Sequence, residues 1–510
     1  MKKKLPENKA LVFLLIFQTL LLVGFCSHKY GMHMDEYFTF ALANNETSTN
    51  IGFEDGKIYE SSFLKNYLVV ENGGEFSYRQ VWRNQMGDVH PPLYYAIIHT
   101  ICSLFVGKFS MWMGLCVNIL IALGITCVVF KLYDCFLGDK RLSLILTAGT
   151  MFVGGAVETV LFIRMYELAA LWIVLLTWLH IQGYREKQNI KFFLILFAVA
   201  LLGALTHYYV IVFMFFMGIY YGGFLLVKKR WKEALGYLII MGISGSLTYL
   251  IFPAIKYHVF DTNRGTESIA NIRNFTDIGE RFSVFENFLN LEMFAGTLVA
   301  FVLFIGVIAI NRYVKKDSGL EKWKSGSLGM VFFSCVAYFL FVAKSASYKS
   351  ERYMFPIFPI AFFMVIVFTV LLIQMREKVQ WEVWLLVMMI LVTGSYYNFD
   401  FALQYSEARE NEQALEPYVQ DICIVLYKED YRIVPSLLEL MEFDRIVFLT
   451  EEELNNLQQE ELISLDETVI FIAKGYNQKK NLKVLTAANE GMDNWQKLYT
   501  TQYMSVYHVY

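Results

Sequence analysis

Two stretches of this chain hold residues able to do chemistry at short range. Met34-Asp35-Glu36-Tyr37-Phe38 sets two carboxylates side by side, and GDVHPPLYY at 87–95 brings Asp88 and His90 up against Pro91-Pro92. A carboxylate can take the proton of a hydroxyl as that hydroxyl attacks. A histidine near an aspartate can hold an anion or orient a second carboxylate. If 34–43 begins a helix, Asp35 and Glu36 point about 100° apart and cannot both face one atom. One then does chemistry and the other is structural. The bland alternative is a pair of acids favoured at a helix start by the macrodipole.

The elements that must position these groups are apolar. The 510 residues are 56% hydrophobic, 17% aromatic and only 18% charged, with a mean hydropathy of +0.42. That composition excludes an ordinary soluble globular protein and fits an α-helical polytopic membrane protein. A net charge of −3 offers no basic surplus for nucleic acid. The seven cysteines are scattered without metal-like spacing, and read as small core residues rather than a disulfide or zinc framework.

Apolar runs long enough to cross a bilayer, roughly 17–25 residues, lie near 10–27, 110–132, 142–158, 166–183, 191–206, 208–227, 234–255, 287–311, 327–344, 354–375 and 382–399. These make about 11 expected spans. Lysines and arginines fill alternate connections, which places the N-terminus in the cytoplasm and residues 400–510 outside. The first run reads as an uncleaved span, since no small-residue cleavage site follows it. The run 93–107 is short and follows two prolines, so it is expected to be an interfacial or re-entrant helix within a long first outer loop, about 28–109. Long ordered loops tend to be functional. The expected organisation is a membrane domain over 1–399 and a small α/β domain over 400–510, with apolar stretches at 422–427, 434–441, 445–449, 451–462, 468–473 and 503–510. The second domain has no phosphate-binding glycine loop, and a lid, scaffold or acceptor-docking role is favoured for it.

In order along the chain stand DEYFTFALANN, HPPLYY, FIRMYELAAL at 162–171, LTHYY at 205–209 and ERYMFPIFP at 351–359. This series resembles the GT-C type glycosyltransferases that use polyprenyl-phosphate sugars, and is most similar to the protein O-mannosyltransferase-like and aminoarabinose-transferase-like group. The resemblance covers roughly the first 375 residues. It implies a GT-C-like membrane fold, a polyprenyl-phosphate-linked sugar donor, a glycan, glycolipid or protein acceptor, and Asp35 as general base with Glu36 orienting or capping. A base on the face opposite the leaving phosphate implies inversion at the anomeric carbon. One departure stands at 108–115, KFSMWMGL, where many relatives have an arginine; Lys108 cannot make the same bidentate phosphate contact.

The leaving phosphate gains charge as the glycosidic bond breaks, so cations and donors that tighten on it would stabilise the transition state. Candidates on the outer side are Arg164, Lys349 and Arg352. Arg164 with Tyr166 best matches the family's arginine-tyrosine pattern, although a snorkelling arginine would look the same. Tyr353 precedes Pro356 and Pro359, which could shape a pocket. His90 and His207 are expected at outer membrane edges, where a lone histidine is usually a satisfied interfacial residue. No cofactor is demanded; a divalent cation is the one candidate, and Asp88 is a candidate contact for such an ion or for the acceptor. A transporter or flippase is the alternative reading, but no internal repeat is visible and the notable charges sit at the outer edge rather than mid-membrane. A non-catalytic scaffold is a third. The cytoplasmic lysines suit a bacterial plasma membrane, with the endoplasmic reticulum as the alternative.

Overall fold

The computed structural model describes residues 7–315, 320–374, 380–397, 399–456, 467–488 and 492–510. Two compact units emerge, and the chain alternates between them. The first comprises the described part of Met1–Cys26 with Gln85–Tyr94 and Gly114–Phe401; the second comprises Ser27–Asn84, Tyr95–Met113 and Ala402–Tyr510.

The first unit is helical. Its continuous apolar helices are Glu7–Cys26, Trp112–Leu137, Tyr208–Val227, Trp231–Ile251, Lys322–Ser345 and a run over Phe355–Gln374, each long and apolar enough to cross a membrane. At 1.5 Å per residue a 20-residue helix covers about 30 Å, the thickness of a hydrocarbon core. The remaining expected windows are helical as well, but not all are straight. Ile190–Ala204 has only 15 residues and Tyr166–Arg185 has 20.

Two windows break. Lys140–Phe152 and Gly154–Leu161 meet at 56°, because Val153 adopts extended backbone angles between them. The expected run 287–311 is instead two helices, Ile278–Phe294 and Leu298–Ile310, bent by 86°. Ala295 and Gly296 both take left-handed angles, with φ of 52° and 81°, which ends the first helix as a C-terminal cap does. The freed Gly296 and Leu298 amides donate to the backbone and side-chain oxygens of Asn290, at 2.9 and 3.0 Å.

The second unit is an α/β structure. Among the described residues, six strands form one sheet in the order β1-β3-β2-β4-β6-β5: β1 Ile58–Tyr59, β2 Ile422–Leu426, β3 Arg445–Leu449, β4 Thr468–Ala473, β5 Trp495–Thr500 and β6 Met504–Val509. β2 is buried along its whole length and pairs in parallel with β3 and β4, as its uninterrupted Ile-Cys-Ile-Val-Leu run leads one to expect. Helix Gln478–Ala488 contributes Leu482 and Leu485 to a core with Ile424, Leu426, Val447, Ile470 and Ile472. Within 451–462 the helix Glu451–Asn456 forms, and the rest of that stretch lies outside the described residues.

The stretch 28–109 supplies β1, whose antiparallel pairing with β3 draws it into this sheet. It also holds the helix Met34–Asn44 and, after Pro91-Pro92, the helix Leu93–Ser103. Eleven residues rise only about 16 Å, too little to cross a bilayer.

Candidate functional site

In the second unit, Asp35 and Glu36 open the helix Met34–Asn44, and local chemistry separates them. His33 is the N-cap: its Nδ1 accepts the Asp35 amide at 3.0 Å, while Glu36 Oε2 accepts the His33 amide at 2.6 Å, a reciprocal capping box. The same Glu36 oxygen lies 3.0 Å from Lys29 Nζ, and both side chains are fully buried. Lys29 also donates to the Leu403 carbonyl and lies 5.4 Å from the Tyr405 ring. Glu36 is therefore built into the framework. The Asp35 side chain keeps 20% exposure, with its Oδ2 3.8 Å from His33 Nδ1.

In the first unit, the segment Gln85–Tyr94 is drawn against two helix ends. The Leu93 amide donates to the Leu205 carbonyl at 3.0 Å, just before His207. Asn118, fully buried in Trp112–Leu137, accepts from Tyr94 Oη at 2.9 Å and donates to the Val160 and Phe162 carbonyls at 3.0 and 2.8 Å. Those carbonyls end Gly154–Leu161, two residues before Arg164. Gly114 lets this break seat against the helix, since a Cβ there would collide with the Ile163 side chain. Three segments far apart in sequence are thereby joined at Asp88-His90, Arg164 and His207.

His90 Nδ1 lies 3.0 Å from Asp88 Oδ2. Burial works against the Asp88 carboxylate, but the His90 hydrogen bond and charge, with Arg164 adding its own, hold it below the usual range. His207 caps the helix Tyr208–Val227, its Nδ1 accepting the Tyr209 amide at 3.1 Å. Burial, then repulsion from His90 and Arg164, pushes its pKa well down, so the ring is neutral and Nε2 carries its proton. Arg164 is only 4% exposed, which overturns a snorkelling role at a span end. A cation buried this deeply is costly unless anions or dipoles compensate it. Asp88 supplies one negative charge.

Aromatic rings continue from these groups. His90 and His207 centroids are 6.0 Å apart, His207 and Tyr166 5.3 Å, Tyr166 and Tyr353 6.4 Å, and Tyr353 and Tyr209 5.7 Å. Arg352 lies 5.3 Å from the Tyr353 ring centroid and 6.0 Å from that of Tyr348. Asp88, His90, Arg164, Tyr166, His207 and Tyr353 thus form one neighbourhood with Arg352 beside it. Lys349 is engaged elsewhere, its Nζ 2.5 Å from Glu280.

Several neighbours escape a motif-based reading. His258, 3% exposed, receives the Tyr208 hydroxyl at 2.6 Å on Nδ1, and its Nε2 lies 3.3 Å from the Met86 carbonyl, so the Nε2–H tautomer satisfies both and steadies the end of the helix Tyr78–Gly87 that leads to Asp88. Arg281, 4% exposed, donates Nε to the Ala343 carbonyl at 2.8 Å and also bonds the Ala346 carbonyl. Its charge reaches Tyr209. Lys344, 9% exposed, lies 4.5 Å from the Phe275 ring, and its Nζ has no hydrogen-bond partner among the described residues. Ionisable groups in apolar helices are functional candidates by default, and this signal was available for both.

Asp88 and His90 offer two ligand atoms to a cation. Among the described residues, one set offers three: Asp421, Glu467 and His508 in the second unit, with ligand atoms within 4.8 Å of one another. Chemically, the first-unit neighbourhood can hold an anionic oxygen between a guanidinium and imidazole N–H groups in a dry setting, where such contacts gain strength.

No family model matches the sequence, and neither does any curated protein sequence. Among solved structures, ArnT from Cupriavidus metallidurans bound to undecaprenyl phosphate matches with a TM-score of 0.55 at 10% identity, over 98% of this chain and 97% of that one. The oligosaccharyltransferase AglB from Archaeoglobus fulgidus, in complex with an inhibitory peptide and a dolichol-phosphate, matches with a TM-score of 0.44 at 10% identity, over 94% of this chain and 71% of that one. The near-complete mutual coverage with ArnT shows that this chain shares the fold of that solved structure.

Proposed function

We propose that this protein is a membrane glycosyltransferase moving a sugar from a polyprenyl phosphate to an acceptor hydroxyl on the extracytoplasmic face, with inversion. The observation that carries the reading is the Asp88-His90-Arg164-His207 neighbourhood, buried at Arg164 and His207 and partly open at Asp88 and His90, in a unit of membrane-length helices, a setting suited to a lipid phosphate head group. The solved ArnT structure, bound to undecaprenyl phosphate, supports that choice of donor.

In the proposed step the acceptor oxygen bonds to the anomeric carbon, the bond from that carbon to the phosphate oxygen breaks, and the acceptor proton passes to Asp35. The polyprenyl phosphate leaves with the bonding electron pair. Arg164 and the His90 and His207 N–H groups take up the growing charge, and Arg352 and Tyr353 flank the head group. Glu36 holds the helix that presents Asp35. A phosphate contact of this kind matters most when it tightens in the transition state.

The test is transfer from a polyprenyl-phosphate sugar by purified protein in nanodiscs. Asp35→Asn is expected to lower kcat by about 10²- to 10⁴-fold, the usual worth of a general base. Arg164→Lys keeps the charge but loses the planar fork, and should lower kcat by about 10-fold or more. Full turnover in Asp35→Asn sinks the assignment. Flux of labelled substrate into proteoliposomes, with no glycosyl product, replaces the reading by transport.

A further inference from the structure

The second unit contains a cavity of about 630 Å³ that none of the roles above uses. That volume falls in the range of small-molecule sites. Its wall is the helix Met34–Asn44, which contributes His33, Met34 and Tyr37, together with residues of 405–442 and 500–503. The cavity and Asp35 thus share one helix within one unit.

The floor is polar and close to uncharged. Glu439 Oε1 accepts from Asn411 Nδ2 at 3.0 Å. Burial pushes the Glu439 carboxyl up to about 7, against hydrogen bonds from Asn411, Tyr499 and Ser436, so near neutral pH it can both donate and accept. Tyr37, Tyr405 and Tyr503 bring aromatic rings to the walls. The rim carries the exposed carboxylates Glu407, Glu412 and Glu442, and Lys65 is the one lysine among the lining residues. Ring faces suit the C–H faces of a sugar, and amide, carboxyl and hydroxyl groups suit its hydroxyls. An acidic rim repels phosphate and uronate groups.

We propose that this cavity binds a neutral saccharide unit and so holds the sugar of the acceptor beside the helix that carries Asp35. The acceptor role rests on the transferase reading above; the saccharide site does not.

The experiment is saturation-transfer NMR on the full-length protein in nanodiscs. The probes are the methyl glycosides of glucose, galactose, mannose and N-acetylglucosamine, with glucose 6-phosphate as the anionic control. At least one neutral glycoside should be saturated and glucose 6-phosphate should not. Asn411→Ala and Tyr405→Ala should cut saturation at least fivefold, while Asp35→Asn leaves it intact. Glu412→Lys, at an exposed position that folding tolerates, should admit glucose 6-phosphate. Absence of saturation by all four glycosides, or equal saturation in wild type and both cavity variants, overturns the site. Binding that persists in a protein shown to transfer no sugar upholds the saccharide site and overturns the acceptor role.

Discussion

Removing Glu36 should damage the protein in a way that removing Asp35 does not. Glu36 Oε2 is the anionic partner of Lys29, 3.0 Å away with both side chains fully buried, and it also accepts the His33 amide. Glu36→Ala leaves the Lys29 ammonium inside the unit beside the Leu403 carbonyl and the Tyr405 ring, with its anionic partner gone. Orphaning one member of a buried pair costs about 3–5 kcal/mol, and loss of the capping box adds about 1 kcal/mol. At 1.4 kcal/mol per tenfold, the locally unfolded population of the second unit rises by about three to four orders of magnitude. Cys102 and Cys423 are buried cysteines of that unit, so a thiol-reactive fluorophore reports its opening during thermal ramps and at constant temperature. The prediction is fast labelling in Glu36→Ala, near-native labelling in Asp35→Asn, and partial recovery in Glu36→Ala/Lys29→Met, because the double variant no longer buries a lone charge. Two results refute the reasoning: Glu36→Ala within about 0.5 kcal/mol of wild type, the usual range for a surface change, or a double variant less stable than Glu36→Ala.

Other consequences follow from single contacts. Asn118→Leu strips partners from Tyr94 Oη and from the Val160 and Phe162 carbonyls; at about 1–3 kcal/mol for each unsatisfied buried group, it should lower the melting temperature and weaken donor binding together, and Asn118→Asp, which keeps the acceptor for Tyr94 but sets a carboxylate oxygen against both carbonyls, should do the same. His207 and His258 both have pKa values depressed below 6.5, led by burial. The unfolded chain therefore binds protons that the folded one refuses, so stability is held above pH about 6.5 and lost as the pH falls below it. Melting at pH 7.5 and 5.5 checks this, with a shallower fall expected in His258→Gln. Ala295→Gly relieves a left-handed φ of 52° and should stabilise the bend by about 0.5–1 kcal/mol, read as a higher midpoint of thermal unfolding.

Where structure depends on neighbours within a few residues, the amino-acid sequence was sufficient. The eleven apolar windows are helical because length and hydrophobicity are local properties, and β2, β3, β4 and β6 lie where short apolar runs predict them. That Asp35 and Glu36 turn apart was legible in the same way, since a helix start points adjacent residues in different directions, and it is Glu36 that is tied into the framework. The series from HPPLYY to ERYMFP carried the fold class through resemblance. The bends were not legible: a broken span and a straight one have the same composition, and the Ala295-Gly296 turn is set by the oxygens of Asn290.

What the tertiary structure alone decided is which distant residues share a neighbourhood. Asp88, Arg164 and His207 converge because Asn118 ties Tyr94 to the Phe162 carbonyl and Leu205 receives the Leu93 amide, pairings that span tens of residues or more and leave no periodicity to read. Lys349 stood with Arg164 among the candidate cations in sequence, yet Glu280 engages Lys349 while Arg164 is buried near Asp88. β1 joins the sheet from residue 58 because an edge of β3 offered unpaired backbone groups. Local propensity determines what each segment is. Long-range hydrogen bonding and burial determine which charges meet and in what dielectric, and hence which of the candidate groups can do chemistry.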